Sequence, residues 1–405
     1  MGHFSRIARY AAFAVGMLCL MPVARAATFV PLYSFCHSID KFVCTDGSNA
    51  GSRLLQIGAD FYGTTSAGGP RNQGTIFRIT GAGAFKQLYS FCAQVYCPDG
   101  AAPGKYIAHG PDGDIYGVAT RDGANLNSGS IFKITTAGQL TRVYGFCSQK
   151  NCLDGFGPIA VAFDKAGNLF GTTTGGGSYR FGTLFEITAK GAFVKLHDFC
   201  SGKNCADGIQ PGALVLGRDG NFYGTTATGG ANQAGTIFRV TPTGKFTTLY
   251  SFCAAKKCAD GAQPTALLTQ GRDGNFYGTT LLSGAHAQGT VFQVTPTGIL
   301  KTLYSFCARP YCDDGNAPLD GLTLARDGSL YGTTSGGGVY YNGVLFNITT
   351  GGSYKIIHNF CAERGCFDGA LPAASPILGR DGNLYGATTA GGDKFNVGEI
   401  YKLTP

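Results

Sequence analysis

The chain has 405 residues, 64 of them Gly, with 44 % hydrophobic residues, only 14 % charged residues and a formal net charge of +8. So large an apolar share, set in a regular pattern, excludes a disordered Gly-rich chain. The charge is modest and no Lys/Arg cluster stands out, so neither a nucleic-acid partner nor an anionic membrane surface is supported. Gly, Thr, Tyr and Phe with few charges suit short strands joined by tight turns, and the chain reads as all-β.

Taken in order, residues 1–26 stand apart. Arg6 and Arg9 precede an apolar run from Ala11 to Val23, and Ala24-Arg25-Ala26 forms a small-x-small cleavage site. The run is short for a membrane span, so a secretory signal peptide cleaved near Ala26/Ala27 is expected, and no span in the mature chain. Its removal takes away three arginines and Cys19, leaving a charge of +5 and an even 14 cysteines. Even, regularly spaced cysteines in an exported chain read as disulfides.

From there one unit recurs seven times. Its first cysteine is Cys36, Cys92, Cys147, Cys200, Cys253, Cys307 and Cys361, at intervals of 56, 55, 53, 53, 54 and 54 residues. In each unit an alternating strand such as Lys245 to Phe252 leads into the cysteine loop, and an apolar strand such as Ala213 to Leu216 follows. Next come the turn Arg218-Asp219-Gly220, the strand Asn221 to Thr226, a Gly-Gly loop, the strand Gly235 to Val240 and the turn Thr241-Pro242-Thr243-Gly244. Asp-Gly and Pro-x-Gly between alternating runs are hairpin signals, because Gly supplies positive φ and Pro presets the first turn residue. Four strands per unit and seven units predict a seven-bladed β-propeller over residues 27–405, one domain of four-stranded antiparallel blades. The ends complement each other: Phe29 to Phe35 supplies one orphan strand, and Glu399 to Leu403 is a third strand without its fourth. Pairing them closes the ring and removes an exposed edge.

The motif Asp-Gly-x-Phe/Leu-Tyr-Gly-Thr-Thr-x-x-Gly-Gly stands at Asp219 to Gly230, Asp273 to Gly284, Asp327 to Gly337 and Asp381 to Gly392. Weaker copies run from Asp60 to Gly69, Asp112 to Gly123 and Gly167 to Gly176. These residues resemble the GloVer-type tandem repeats of bacterial exported proteins, the choice-of-anchor family. The resemblance implies an extracellular or surface role and no particular activity. Many members carry a C-terminal sorting segment; this chain stops two residues after Leu403, so surface anchoring is not expected.

Six units hold Cys-x4-Cys, namely Cys92/Cys97, Cys147/Cys152, Cys200/Cys205, Cys253/Cys258, Cys307/Cys312 and Cys361/Cys366, and the first holds Cys36/Cys44, three residues longer. Seven local disulfides are expected; zinc would need four clustered ligands, and neither spacing nor histidines provide them. An Asp-Gly follows each second cysteine, at Asp46, Asp99, Asp154, Asp207, Asp260, Asp314 and Asp368. Sevenfold recurrence marks a structural role, each carboxylate holding backbone amides of its own turn. His197 and His358 occupy a slot filled elsewhere by Tyr and are expected to pack there. No nucleophile elbow, phosphate loop or zinc motif is present, so no metal, cofactor or catalytic residue is assigned.

Function is then expected where the copies differ, in the Gly-Gly loops, which should emerge on the same face as the cysteine loops. Candidate ligand-binding residues are Arg71, Arg121, Tyr179, Arg180, His286, Tyr340, Tyr341 and Lys394, with Asp122, Asn125 and Asn342 among their polar neighbours. Variable polar and aromatic tips on a rigid scaffold are how binding surfaces are usually built. The expected function is a secreted or periplasmic, non-catalytic binding or scaffold module for an extracellular protein or glycan. The alternative is an extracellular polysaccharide-active hydrolase or lyase with an asymmetric acid/base pair at the channel mouth.

Overall fold

Each repeat folds into one blade because its alternation serves two interfaces at once. In the fourth blade the strands Val215–Leu216, Phe222–Thr228, Thr236–Val240 and Phe246–Ser251 run antiparallel in that order. The two central strands are buried on both faces, since a neighbouring blade lies against each. The apolar core therefore sits between blades. Tyr223, Ile237 and Phe252 of the fourth blade pack against Leu268, Phe276, Phe292 and Val294 of the fifth. The computed structural model describes residues 27–40, 43–121, 128–264 and 266–405; the expected leader, Asp122 and Asn125 lie outside them.

Seven such blades follow one another. The last joins Ile377–Leu378, Leu384–Ala387 and Glu399–Thr404 to Thr28–Ser34 from the other end of the chain. That closing pair runs antiparallel with Thr28 opposite Thr404 and Phe29 opposite Leu403. The ring is closed as the complementary ends predict, so the first and last strands of the repeat array are paired.

The signature residues are explained by contacts between blades. In Phe276–Thr280 a Cβ on Gly278 would stand 2.7 Å from the Phe292 ring and 2.9 Å from Leu268, so only Gly lets the aromatic ring lie flat there. The first threonine ties one blade to the next: Thr279 Oγ1 donates to Asp320 O (2.8 Å), as Thr64 Oγ1 does to Gly104 O (2.9 Å). The second threonine stays within its blade, with Thr280 Oγ1 and Thr290 Oγ1 2.9 Å apart. In the turn before it, Asp273 accepts from Asn275 N (3.2 Å) and Tyr277 Oη (2.7 Å), an Asx turn with an aromatic lock.

The first strand of each blade lines the axis, and here the copies diverge. It runs unbroken over Ala101–His109 and Phe156–Phe163 in the second and third blades. In the fifth and sixth it shrinks to Thr269–Gln270 and Thr323–Leu324, with a single bridge nearer the loop.

Candidate functional site

The cysteine loops come first because they build one face. All seven expected disulfides are present: Cys36–Cys44, Cys92–Cys97, Cys147–Cys152, Cys200–Cys205, Cys253–Cys258, Cys307–Cys312 and Cys361–Cys366. Every first cysteine has positive φ, from 58° at Cys147 to 70° at Cys36, a conformation that costs a residue bearing Cβ. Six of the second cysteines share it: Cys97, Cys152, Cys205, Cys258, Cys312 and Cys366 have φ between 49° and 58°. Cys44 does not. It ends the two-residue strand Val43–Cys44, paired with Ile39–Asp40, because three extra residues give the first loop room for a small hairpin. The pairing is the expected one throughout, but the first staple closes a different loop from its six sisters.

The repeated aspartate holds the strained backbone. Asp260 accepts from Ala254 N (3.0 Å), Ala255 N (3.1 Å) and Tyr250 Oη (2.8 Å). Asp314 does the same with Ala308 N, Arg309 N and Tyr304 Oη. The aspartates are loop clamps, in keeping with their recurrence. His197 and His358 take over the tyrosine's bond, His197 Nε2 lying 2.9 Å from Asp207 and His358 Nε2 3.1 Å from Asp368. Burial by itself would raise the Asp207 carboxyl, but bonds from His197, Ser201 and two loop amides outweigh it and bring it down to about 2.

The Gly-Gly loops do emerge on this face. Gly69, Gly177, Gly230, Gly284, Gly338 and Gly392 donate N–H to the carbonyls of Cys44, Cys152, Cys205, Cys258, Cys312 and Cys366 in their own blades, at 2.9–3.0 Å. Of the candidate residues, Arg71, Arg121, Arg180, His286 and Lys394 are exposed, and Tyr179, Tyr340 and Tyr341 are half-exposed or more. They are spread over six blades, Tyr179 sharing one with Arg180 and Tyr340 one with Tyr341, and the structure does not gather them into one cluster. Lys394 lies over the neighbouring Phe395 ring, 4.9 Å from its centre.

Exposed large side chains group on several blades, Val95 and Tyr96 on the second and Leu153, Phe156, Tyr179 and Phe181 on the third, and one group spans the sixth and seventh. Tyr311, inside its cysteine loop, is 79 % exposed, beside Val339, Tyr340 and Tyr341 of the Gly-Gly loop. Gly338 N donates to Cys312 O (2.9 Å), and Leu371 N donates to Asn342 O (3.0 Å), so backbone bonds join these segments across the blade boundary. Exposed Phe367 and Leu371 extend the patch onto the seventh blade. Tyr311 and Phe367 are not among the residues expected from sequence, where the cysteine loops read as uniform framework; the variable residues between the cysteines, and the one just after the second, carried the signal.

A second departure from sevenfold symmetry lies on the axis. Asp320, completely buried in the sixth blade, accepts from Tyr106 Oη of the second blade and from Ser375 N of the seventh (2.9 Å). Lys105 Nζ approaches the same carboxylate at 3.6 Å and donates to Leu319 O at 3.0 Å. Arg53 of the first blade crosses to the sixth, where Nη2 donates to Thr323 Oγ1 (3.0 Å) and Leu322 O (3.3 Å). Burial alone would raise Asp320; the Lys105 and Arg53 charges, then the Tyr106 and Ser375 bonds, hold it below the usual carboxylate range. Burial and that carboxylate together push Tyr106 well up, so its phenol stays protonated and donates. The cluster plugs the channel. Its signal was present in the sequence: Gly51-Ser52-Arg53, Gly104-Lys105-Tyr106 and Leu319-Asp320-Gly321 interrupt an otherwise small, apolar strand.

Seven four-stranded blades, closed by an end-to-end strand pair and carrying disulfide-stapled loops on one face, define a seven-bladed β-propeller with a plugged axis. The sequence profile of the Gloeobacter/Verrucomicrobia repeat matches residues 24–158 and 147–325, and the chain belongs to that repeat family. No curated protein matches it in sequence. Among solved structures it is similar to the extracellular domain of a putative one component system from B. thetaiotaomicron, with a TM-score of 0.56 at 11 % identity. That match covers 88 % of this chain and 38 % of the other. A puromycin hydrolase is similar at TM-score 0.54 and 13 % identity, with 91 % of this chain and 55 % of the other covered. The chain thus spans about half of those proteins or less, and the likeness is one of fold.

Proposed function

We propose that the chain is an exported, non-catalytic binding module that presents the sixth and seventh blades of its cysteine-loop face to an extracellular partner. The observation that carries this is the exposed patch of Tyr311, Val339, Tyr340, Tyr341, Phe367 and Leu371, set in and beside two disulfide-stapled loops. Large apolar side chains exposed together are a cost in solution that a partner removes. Aromatic anchors on pre-ordered loops lose little entropy on binding. The aliphatic members favour a protein over a glycan, since Val339 and Leu371 offer no ring to stack on a sugar. Seven disulfides fit a secreted or periplasmic location, with cleavage near Ala26/Ala27. The polysaccharide-active reading draws less support: the asymmetric carboxylate it requires, Asp320, is enclosed and bonded at both oxygens.

The test compares the purified protein with a Tyr311→Ser/Tyr340→Ser/Tyr341→Ser variant, against solubilised cell-envelope proteins of the source organism and against a glycan array. Loss of a saturable protein interaction in the triple variant, with Arg180→Glu unaffected, supports the reading. Equal binding by both forms moves the interface elsewhere, and binding confined to glycans replaces the protein partner.

A further inference from the structure

The plug leaves room beneath it. On its turn side the channel encloses a cavity of about 380 Å³, floored by Arg53 and Tyr106 and walled by Ile107, Val161, Leu214 and Ile377, among others. Residues 53 to 56 of the first blade all line it, so it opens toward the hairpin turns, away from the cysteine loops. The walls are aliphatic, yet the floor is charged. Arg53 and Lys105 face one carboxylate, Asp320, with Tyr106 protonated, which leaves one net positive charge at the plug. Arg53 uses only half its fork: Nη2 bonds the sixth blade, while Nη1 is enclosed without a hydrogen-bond partner among the described residues. Arg53 nevertheless lines the cavity floor, so its guanidinium charge is the nearest one to a molecule held there.

The rim is asymmetric too. Arg218, Arg272, Arg326 and Arg380 occupy the same turn position in the fourth to seventh blades, and no earlier blade has Arg there. Three of them reach the backbone carbonyl of the next arginine: Arg218 Nη1 to Arg272 O (3.3 Å), Arg272 to Arg326 O, and Arg326 to Arg380 O. The last is tied to the cavity wall, Arg380 N donating to Gln56 Oε1 (3.1 Å). The aspartates beside them, Asp219, Asp273 and Asp381, are turned into their own Asx turns.

We propose that this cavity binds a small organic anion with an apolar body, a carboxylate on a short aliphatic skeleton. Its charged end lies toward the Arg53 guanidinium on the floor, and its chain lies against Ile107, Val161 and Leu214. The site lies on the face opposite the patch described above and is independent of it. It has the usual composition of small-molecule sites, apolar walls with a few placed polar groups, and its volume falls in the usual range.

Hexanoate is the probe, read by calorimetry and by thermal shift, with 1-hexanol and inorganic phosphate as controls. Hexanoate should bind saturably, and hexanol and phosphate should not, because each lacks one half of the match. Ala213→Phe, which fills the cavity, should abolish hexanoate binding. Arg53→Gln should weaken it at least tenfold. Ala160→Val, a smaller filling change, keeps the test valid if Ala213→Phe does not fold, and should weaken binding several-fold. No saturable hexanoate binding, equal binding of hexanol, or undiminished binding by both filled variants overturns the proposal.

Discussion

The cysteine loops and the channel strands are adjacent in every repeat, yet one is copied seven times and the other never. Each cysteine loop solves a local problem, a strained backbone held by a disulfide and an aspartate, and each blade has space for its own solution. Even the longer Cys36–Cys44 loop keeps the clamp, Asp46 accepting from Cys36 N (3.1 Å) and His37 N (3.0 Å). The axis is shared. Register places Arg53, Tyr106, Ala160, Ala213, Leu267, Gly321 and Ser375 at one level of the channel, two residues before the positions paired with the second strand. Seven large side chains do not fit there. Tyr106 packs against Ala160 and Ala213, and a Cβ on Gly321 would run into Leu267 O. Close packing on an axis forces unequal residues, some large and some small. Symmetry breaks there for steric reasons first, and the charges of Arg53, Lys105 and Asp320 use the opening.

The largest effect should come from breaking the plug. Asp320→Ala leaves two cations facing each other in the channel, and removing one partner of a buried pair costs about 3–5 kcal/mol. Asp260→Ala removes one clamp from a loop whose amides reach water more readily, and should cost about 1–3 kcal/mol. Urea denaturation of the two variants compares them directly. Equal losses would mean that the axis is no more constrained than a single loop.

An intermediate effect tests the closing blade, where a copied position has changed. The third strand starts with Thr75, Thr183, Thr236 and Thr290 in four blades, and with Glu399 in the seventh. Glu399 is fully buried, and both its carboxyl oxygens are without a hydrogen-bond partner among the described residues. Burial, then the Asp368 and Glu363 charges, push it up to about 9. The folded chain therefore holds a proton there that the unfolded chain releases at its ordinary value near 4.5. Stability should fall as pH rises through that window, and Glu399→Thr should flatten the slope and stabilise the protein at pH 8 by on the order of a few kcal/mol. Asp207 has the opposite sign: its contribution is present above the ordinary carboxylate range and is lost as pH falls toward about 2. Melting temperatures between pH 5 and 9 isolate the Glu399 part, and an unchanged slope in Glu399→Thr would assign it to another group.

The repeat period, the blade count and the disulfides were legible because each depends on residues near in sequence, such as Cys200 with Cys205 or Asp219 with Gly220, and the closure because the two ends are complementary fragments of that repeat. The face of the Gly-Gly loops followed from strand order alone. The plug was legible only as three separate departures from a small, apolar strand, because Arg53, Tyr106 and Asp320 are far apart in sequence and meet only once the ring closes. Each looks like ordinary variation until the seven copies are aligned at the axis. The exposed patch was half legible: Tyr340 and Tyr341 stood out in a variable loop, whereas Tyr311 was hidden between cysteines whose regularity drew attention away.

The smallest effect is expected where two residue types do one job. His197 stacks on Phe246 at 4.1 Å with its ring nearly parallel, as Tyr33 stacks on Phe85 at 3.9 Å in the closing blade. Both hold the loop aspartate, His197 through Nε2 and Tyr33 through Oη at 2.6 Å. His197→Tyr should therefore change stability by less than about 0.5 kcal/mol, since ring, stacking and hydrogen bond are all replaced. His197→Phe keeps the ring and removes the bond, which leaves Asp207 short of a donor and should cost about 1–3 kcal/mol. Equilibrium denaturation of both variants at neutral pH decides the matter. A large loss in His197→Tyr would show that the fourth blade's loop needs an imidazole, and that this copy of the clamp has a job its sisters lack.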